Sequence, residues 1–292
     1  MQRLTPHAKD LGGGFTVRRL LPALARQAVG PFVFFDHFGP IEAGPDDNHD
    51  VRPHPHIGLA TVTYLFEGAM QHRDSTGVAQ RIEPGAINWM TAGHGIVHSE
   101  RTPEDLRGRR RRSHGLQLWA ALPEADETLA PAFSHTPAAA IPSVRLDGAE
   151  IRVLIGAAFG AISPVPTRSP TLYLDIALAA GASLLLPAAL ARERALYGVD
   201  GDFTLDDDPV QALTLAVLDE GRDVRVSAVR PLRLMLVGGE PLGHRFMWWN
   251  FVARRKETIT RAAEAWAAQP NETFPEVPGE SDFIPLPERR PA

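Results

Sequence analysis

Cysteine is absent from all 292 residues. That excludes disulfides and thiolate ligands, so any metal must be held by nitrogen and oxygen, and the chain is expected to be cytoplasmic. Lysine is almost as scarce: Lys9 and Lys256 are the only two, so the other 28 of the 30 basic residues are arginine. This reads as a compositional bias, which weakens the run Arg109, Arg110, Arg111, Arg112 as a sign of a binding patch and leaves a solvated loop as the expectation there. A long apolar run is also missing. The uncharged stretch Ile176–Ala191 is broken by Gly181, Ser183 and Pro187 and falls short of the roughly 20 apolar residues of a spanning helix, so no helix is expected to cross a bilayer. Met1–Phe15 carries Arg3, His7, Lys9 and Asp10 with no apolar core, and no secretory signal is expected from it. Excess positive charge is lacking as well. The formal net charge of -5 provides no general attraction for a phosphate backbone, so nucleic acid is not an expected direct ligand.

What is present is globular: 44% hydrophobic and 22% charged residues, at a length that suggests two domains. The 26 Pro and 25 Gly are spread along the chain, which favours short elements between many turns and an all-β architecture. Thr61–Phe66, Ala86–Met90 and Leu116–Ala120 read as strands of a first domain, residues 1–135. After an Ala-, Pro- and Glu-rich connector over Pro123–Pro142, the runs Val144–Ile155, Thr171–Ala177, Arg194–Val199, Ala212–Leu218 and Leu232–Val237 read as strands of a second, residues 136–292. Tyr64-Leu65-Phe66-Glu67-Gly68 resembles Tyr197-Gly198-Val199-Asp200-Gly201, as duplicated barrels would produce. Ile259, Ala262, Ala263 and Trp266 fall at i, i+3, i+4 and i+7 and predict one helix from near Arg254 to before Pro270. The Pro-rich tail from Asn271 is expected to be extended and to dock through Phe274, Phe283, Ile284 and Leu286.

Nine of the eleven histidines lie in the first 114 residues. In His54-Pro55-His56 two imidazoles stand at i and i+2, so an extended backbone projects both to one side. His98-Ser99-Glu100 repeats the spacing with a nitrogen and an oxygen ligand. Two such edges facing across a barrel make a four-ligand site. Imidazole and carboxylate without sulfur suit a divalent first-row metal with open positions: iron first, with nickel, manganese, copper and zinc chemically possible. A single H-x-H is more often exposed polar sequence than a ligand pair, and it is the second pair, H-x-E, that tips the reading to metal.

His54-Pro55-His56-Ile57-Gly58, Trp89-Met90-Thr91-Ala92-Gly93, Gly95-Ile96-Val97-His98-Ser99-Glu100 and His114-Gly115-Leu116-Gln117-Leu118-Trp119 occur in the order in which the pirin family carries them. Gly30-Pro31-Phe32, Phe35-Asp36-His37, Thr171-Leu172-Tyr173-Leu174-Asp175 and Gly238-Gly239-Glu240-Pro241-Leu242 extend the likeness over most of the chain, which thus resembles a pirin. The resemblance implies a bicupin, two Greek-key β-barrels (double-stranded β-helices) with a C-terminal helix, and one metal, usually Fe(II), in the N-terminal barrel. It implies His54, His56, His98 and Glu100 as ligands, with Glu100 also the catalytic base. It implies quercetin 2,3-dioxygenase activity, with a flavonol-like aromatic and O2 as substrates, or alternatively a regulatory protein that uses iron as a redox switch toward a protein partner. Position 94, where many relatives have arginine, is His94, which either alters the charge near the metal or caps a turn. Glu67 is expected to be structural, His37 to pack near the site, and His72, His114 and His135 to have no role as ligands. Val144–Val237 contains no histidine, so the second barrel is expected to lack a metal.

Overall fold

Every run with strand character in the sequence contributes a strand to the computed structural model, which describes residues 1–11 and 15–288. Residues 12–14 of the N-terminal stretch and 289–292 of the expected tail lie outside the described residues. The fold is a bicupin, mostly β with one α-helix at the C-terminal end. The chain forms two compact units, neither continuous in sequence. One comprises Met1–His7, Arg18–Phe35 and Thr136–Leu242; the other comprises Ala8–Val17, Asp36–His135 and Gly243–Ala292.

The first unit holds a seven-stranded antiparallel sheet in the order Gln2–Leu4, Leu215–Val217, Glu193–Gly198, Leu232–Gly239, Thr171–Leu178, Ala149–Ile155, Ser143–Leu146. A four-stranded sheet accompanies it. The run Val144–Ile155, expected as one strand, is a hairpin in which Leu146 pairs with Ala149. Asp147-Gly148 supplies the two-residue turn, and Gly148 takes the positive φ of 70° that such turns require. The interior is filled by apolar side chains including Leu172, Leu174, Leu196, Phe203 and Leu236.

The second unit holds the histidine-rich barrel. Its four-stranded sheet runs Val51–His56, Ile96–Arg101, Met70–Asp74, Ala79–Ile82, so the His-Pro-His strand lies at an edge. That place tolerates Pro53 and Pro55, which cannot donate to a neighbour on both sides. Gly58 then turns the chain into Leu59–Glu67 with φ of 67°, and a Cβ there would stand 2.0 Å from the carbonyl oxygen of Val252. Only glycine fits a backbone that tight, which explains its place directly after the histidine pair.

The helix spans Lys256–Ala267 and buries Ile259, Ala262, Ala263 and Trp266, with Arg254, Arg255, Glu257 and Arg261 in water, as the periodicity predicts. The tail docks. Phe274 is fully buried and meets Trp266 edge-on at 5.6 Å, Phe283 meets the same indole at 5.7 Å, and Leu286 packs on the same cluster. Trp266 Nε1 donates to Ile284 O at 3.0 Å, and Ile284 N donates to Pro53 O at 2.8 Å. Glu280 accepts from Ser99 Oγ at 2.6 Å and Arg101 Nε at 3.1 Å. Helix and tail therefore brace the two strands that carry the H-x-H and H-x-E pairs. Trp266→Ala should cost about 3–5 kcal/mol, the usual loss for a large buried aromatic. The denaturant midpoint measures it, and an unchanged midpoint would show that this packing adds nothing.

Candidate metal centre

Antiparallel register builds the centre. His98 lies directly opposite His54, and Ile96 opposite His56, so the alternation that puts His54 and His56 on one face also puts His98 there. All three imidazoles are buried. A ring nitrogen from each can be chosen so that all three lie within 4.8 Å of one another. Glu100 is not part of that close set. A β-bulge between His98 and Glu100 places Glu100 opposite Val51, while on the other side it remains opposite His72. The extra residue is on the Val51–His54 side, so the bulge bends the strand that carries His54 and His56, while His98 and Glu100 keep regular register against Met70–Asp74.

The hydrogen bonds fix how the rings are protonated. Nδ1 of His54 donates to Arg52 O at 2.8 Å, and Nδ1 of His56 donates to Asn250 O at 3.1 Å. A carbonyl can only accept, so each ring carries its proton on Nδ1 and presents a lone pair at Nε2. Nδ1 of His98 lies 3.4 Å from Nδ1 of His72, and its Nε2 faces Nε2 of His56 at 3.1 Å. Buried Nε2 atoms turned toward one another form a donor set that suits a cation. Edge-on against His56 stands Trp119, at 5.1 Å. Burial pushes the His54 imidazole down to about 4, and His56 and His98 lie well below the ordinary value for the same reason. The triad is therefore neutral at pH 7, the state that binds metal. Burial pushes the Glu100 carboxyl up to about 7.

The chain matches the family model of pirin over residues 14–120 and that of the pirin C-terminal cupin domain over residues 173–272. The chain belongs to the pirin family. It is 44% identical over 283 residues to a pirin-like protein of Caulobacter vibrioides, covering 96% of each chain. It is 35% identical over 261 residues to the pirin of Homo sapiens, covering 86% of each. Among solved structures it is similar to a quercetin 2,3-dioxygenase of Acinetobacter baumannii, with 33% identity, a TM-score of 0.88, and coverage of 99% of this chain and 97% of that one.

The family motifs outside the triad acquire definite places. His94 is exposed in a turn closed by Gly95 N donating to Ala92 O at 3.0 Å. Glu67 ends its strand and pairs with Arg112 at 3.3 Å. The arginine run is only half loop: the strand Arg111–Ala121 starts inside it, and Arg111 Nη1 donates to Gly44 O at 3.0 Å. His37 and His114 bond to each other at 2.8 Å, and His135 bonds to Asn88 at 2.7 Å. His72, given no role by the sequence, is 2% exposed and touches His98. Among the described residues no helix is long and apolar enough to cross a membrane.

These ionisations set the pH response of the metal-free protein. The folded value of His54, about 4 against 6.5, is depressed, so the unfolded chain binds the proton more readily. Its contribution is complete above pH 6.5 and is lost as pH falls to 4, about 3 kcal/mol for this residue. Glu100 is raised from 4.5 to about 7, and its contribution, full below 4.5, is lost as pH rises through 7. Three imidazoles outweigh one carboxyl, so the urea midpoint of metal-stripped protein should fall between pH 6.5 and 5. A flat profile there contradicts the neutral triad.

Proposed function

We propose that the chain binds one divalent metal, iron in the cell, through His54, His56, His98 and Glu100, and opens the central ring of a flavonol with O2 as quercetin 2,3-dioxygenases do. The observation that carries the reading is the buried imidazole triad with its Nδ1 atoms engaged and its Nε2 atoms convergent. The similar Acinetobacter baumannii quercetin 2,3-dioxygenase supports the reaction class.

When bound, the metal supplies Lewis acidity that lowers the pKa of the flavonol 3-hydroxyl, and redox chemistry toward O2. Glu100 accepts the 3-hydroxyl proton on a carboxylate oxygen, and its place outside the close imidazole set leaves it free to do so. Trp119, Gln117, Thr61, Thr63 and Asn88 share one sheet face by register. Since Trp119 meets His56, that face forms the wall beside the triad. The indole excludes water, and the amides and hydroxyls of the same wall give the flavonol oxygens hydrogen-bond partners. The test is aerobic assay of the iron-reconstituted protein against a flavonol panel, read as carbon monoxide released. Carbon monoxide is expected with at least one flavonol; none with any flavonol or first-row metal overturns the proposal.

A further inference from the structure

His72-Arg73-Asp74 is a third pair of chemistry-bearing residues at i, i+2, on the strand Met70–Asp74 beside the one that carries His98. Asp74 lies directly opposite His98, and His72 directly opposite Glu100. Asp74 is fully buried, His72 is 2% exposed, and Phe133 stacks on the His72 ring at 4.4 Å.

We propose that Asp74, acting through His72, is a positioning residue that sets which nitrogen of His98 carries the proton and thereby holds the His98 Nε2 lone pair ready for the metal. The hydrogen bonds of Asp74 set the direction. Asp74 Oδ1 accepts three donors: Thr76 N at 2.9 Å, Thr76 Oγ1 at 2.6 Å and Val78 N at 3.2 Å. Its other oxygen, Oδ2, faces His72 Nε2 at 3.0 Å. An ionised carboxylate has nothing to donate, so His72 Nε2 carries a proton, and in the neutral ring Nδ1 is left with a lone pair. That lone pair faces His98 Nδ1 at 3.4 Å and is the acceptor for a proton there, whereas a proton on His98 Nε2 would go to the lone pair of His56 Nε2 at 3.1 Å. A cation at Nε2 requires the first arrangement, which only an accepting His72 Nδ1 supports. For His54 and His56 a backbone carbonyl does the same work; only His98 depends on a side chain, and so only His98 can be reversed by substitution.

The reversal is specific. In Asp74→Asn the three donors of residues 76 and 78 still require an acceptor and hold the amide oxygen at the Oδ1 position. The NH2 group must take the place of Oδ2 and donate to His72 Nε2. His72 then carries its proton on Nδ1 and donates to His98 Nδ1, and His98 carries its proton on Nε2, where the metal would bind. Each ring keeps one proton throughout; only the sites change. Undoing this costs metal affinity, by the roughly 10–100-fold typical of an outer partner of a ligating histidine.

The inference rests on the metal reading of the triad, and the test separates the two. Nitrogen-15 NMR of the metal-free full chain reads the His72 tautomer directly, and chelator competition with Zn(II) reads affinity. The expected results are an Nε2–H tautomer of His72 in the unmodified chain, an Nδ1–H tautomer of His72 in Asp74→Asn, and a Zn(II) affinity for that variant about 10–100-fold lower. His72→Phe, which keeps a ring against Phe133, should also lower the affinity, and adding Asp74→Asn to it should cost no further affinity. An Nε2–H tautomer of His72 persisting in Asp74→Asn overturns the relay. So does an equal affinity loss from Asp74→Asn with and without His72. If the unmodified chain binds no Zn(II) while the tautomers behave as stated, the metal reading fails and the relay stands.

Discussion

His98→Ala should leave the protein unable to retain stoichiometric metal through desalting. Structural zinc sites with four ligands bind the metal with apparent energies of roughly 10–16 kcal/mol, about 3 kcal/mol per ligand, so by that measure loss of one imidazole from the proposed set lowers affinity by about 100-fold or more. His98 is the sharpest place to test this, since it pairs across the strands with His54 and its Nε2 faces His56. Alanine removes the ring but keeps the backbone bonds of Ile96–Arg101 to the strands on either side, so the barrel should still fold. Metal content by elemental analysis and chelator competition decide the matter. Native affinity in this variant would remove His98 from the ligand set. His94→Ala is the matched control: the side chain is exposed in a turn, and its loss should leave metal content unchanged.

Glu100→Gln should lower flavonol turnover by about 10²-fold or more even when saturated with iron, because the amide is no longer a usable base. The substitution keeps size and removes charge at a group whose burial already pushes its carboxyl up to about 7. Metal affinity should fall as well, since an amide oxygen is the poorer ligand. Measuring kcat in metal-saturated protein keeps the two effects apart. Turnover at the unsubstituted rate would show that Glu100 is not the base.

The imidazole pair at positions 54 and 56 was legible because strand alternation is local: two residues at i, i+2 share a face whatever the rest of the chain does. The helix was legible for the same reason, its four apolar positions fixing one stripe. The hairpin at Asp147-Gly148 could have been read from the turn dipeptide between two stretches in which Arg145, Glu150 and Arg152 alternate with apolar residues. The separation of Glu100 from the close imidazole set could not, because the bulge opposite it depends on how Val51–His56 pairs with Ile96–Arg101. His72-Arg73-Asp74 carried a signal, the same spacing as the two other pairs. A histidine that bonds to its own strand neighbour looks, in sequence, like any surface histidine.

By itself the sequence determined the donor chemistry and the local geometry. Without cysteine any metal site had to be nitrogen and oxygen; H-x-H and H-x-E on extended backbone had to present their side chains in pairs; and the ordered motifs marked the bicupin. Tertiary structure decided everything that depends on residues far apart in the chain. Asn250, 194 residues from His56, supplies the carbonyl that fixes that ring's tautomer. The helix and tail, last in sequence, belong to the unit that contains the triad. The physical reason is the reach of the interactions involved: backbone alternation acts over two residues, whereas a hydrogen bond to a buried imidazole can be donated or accepted by any group that folding brings within about 3 Å.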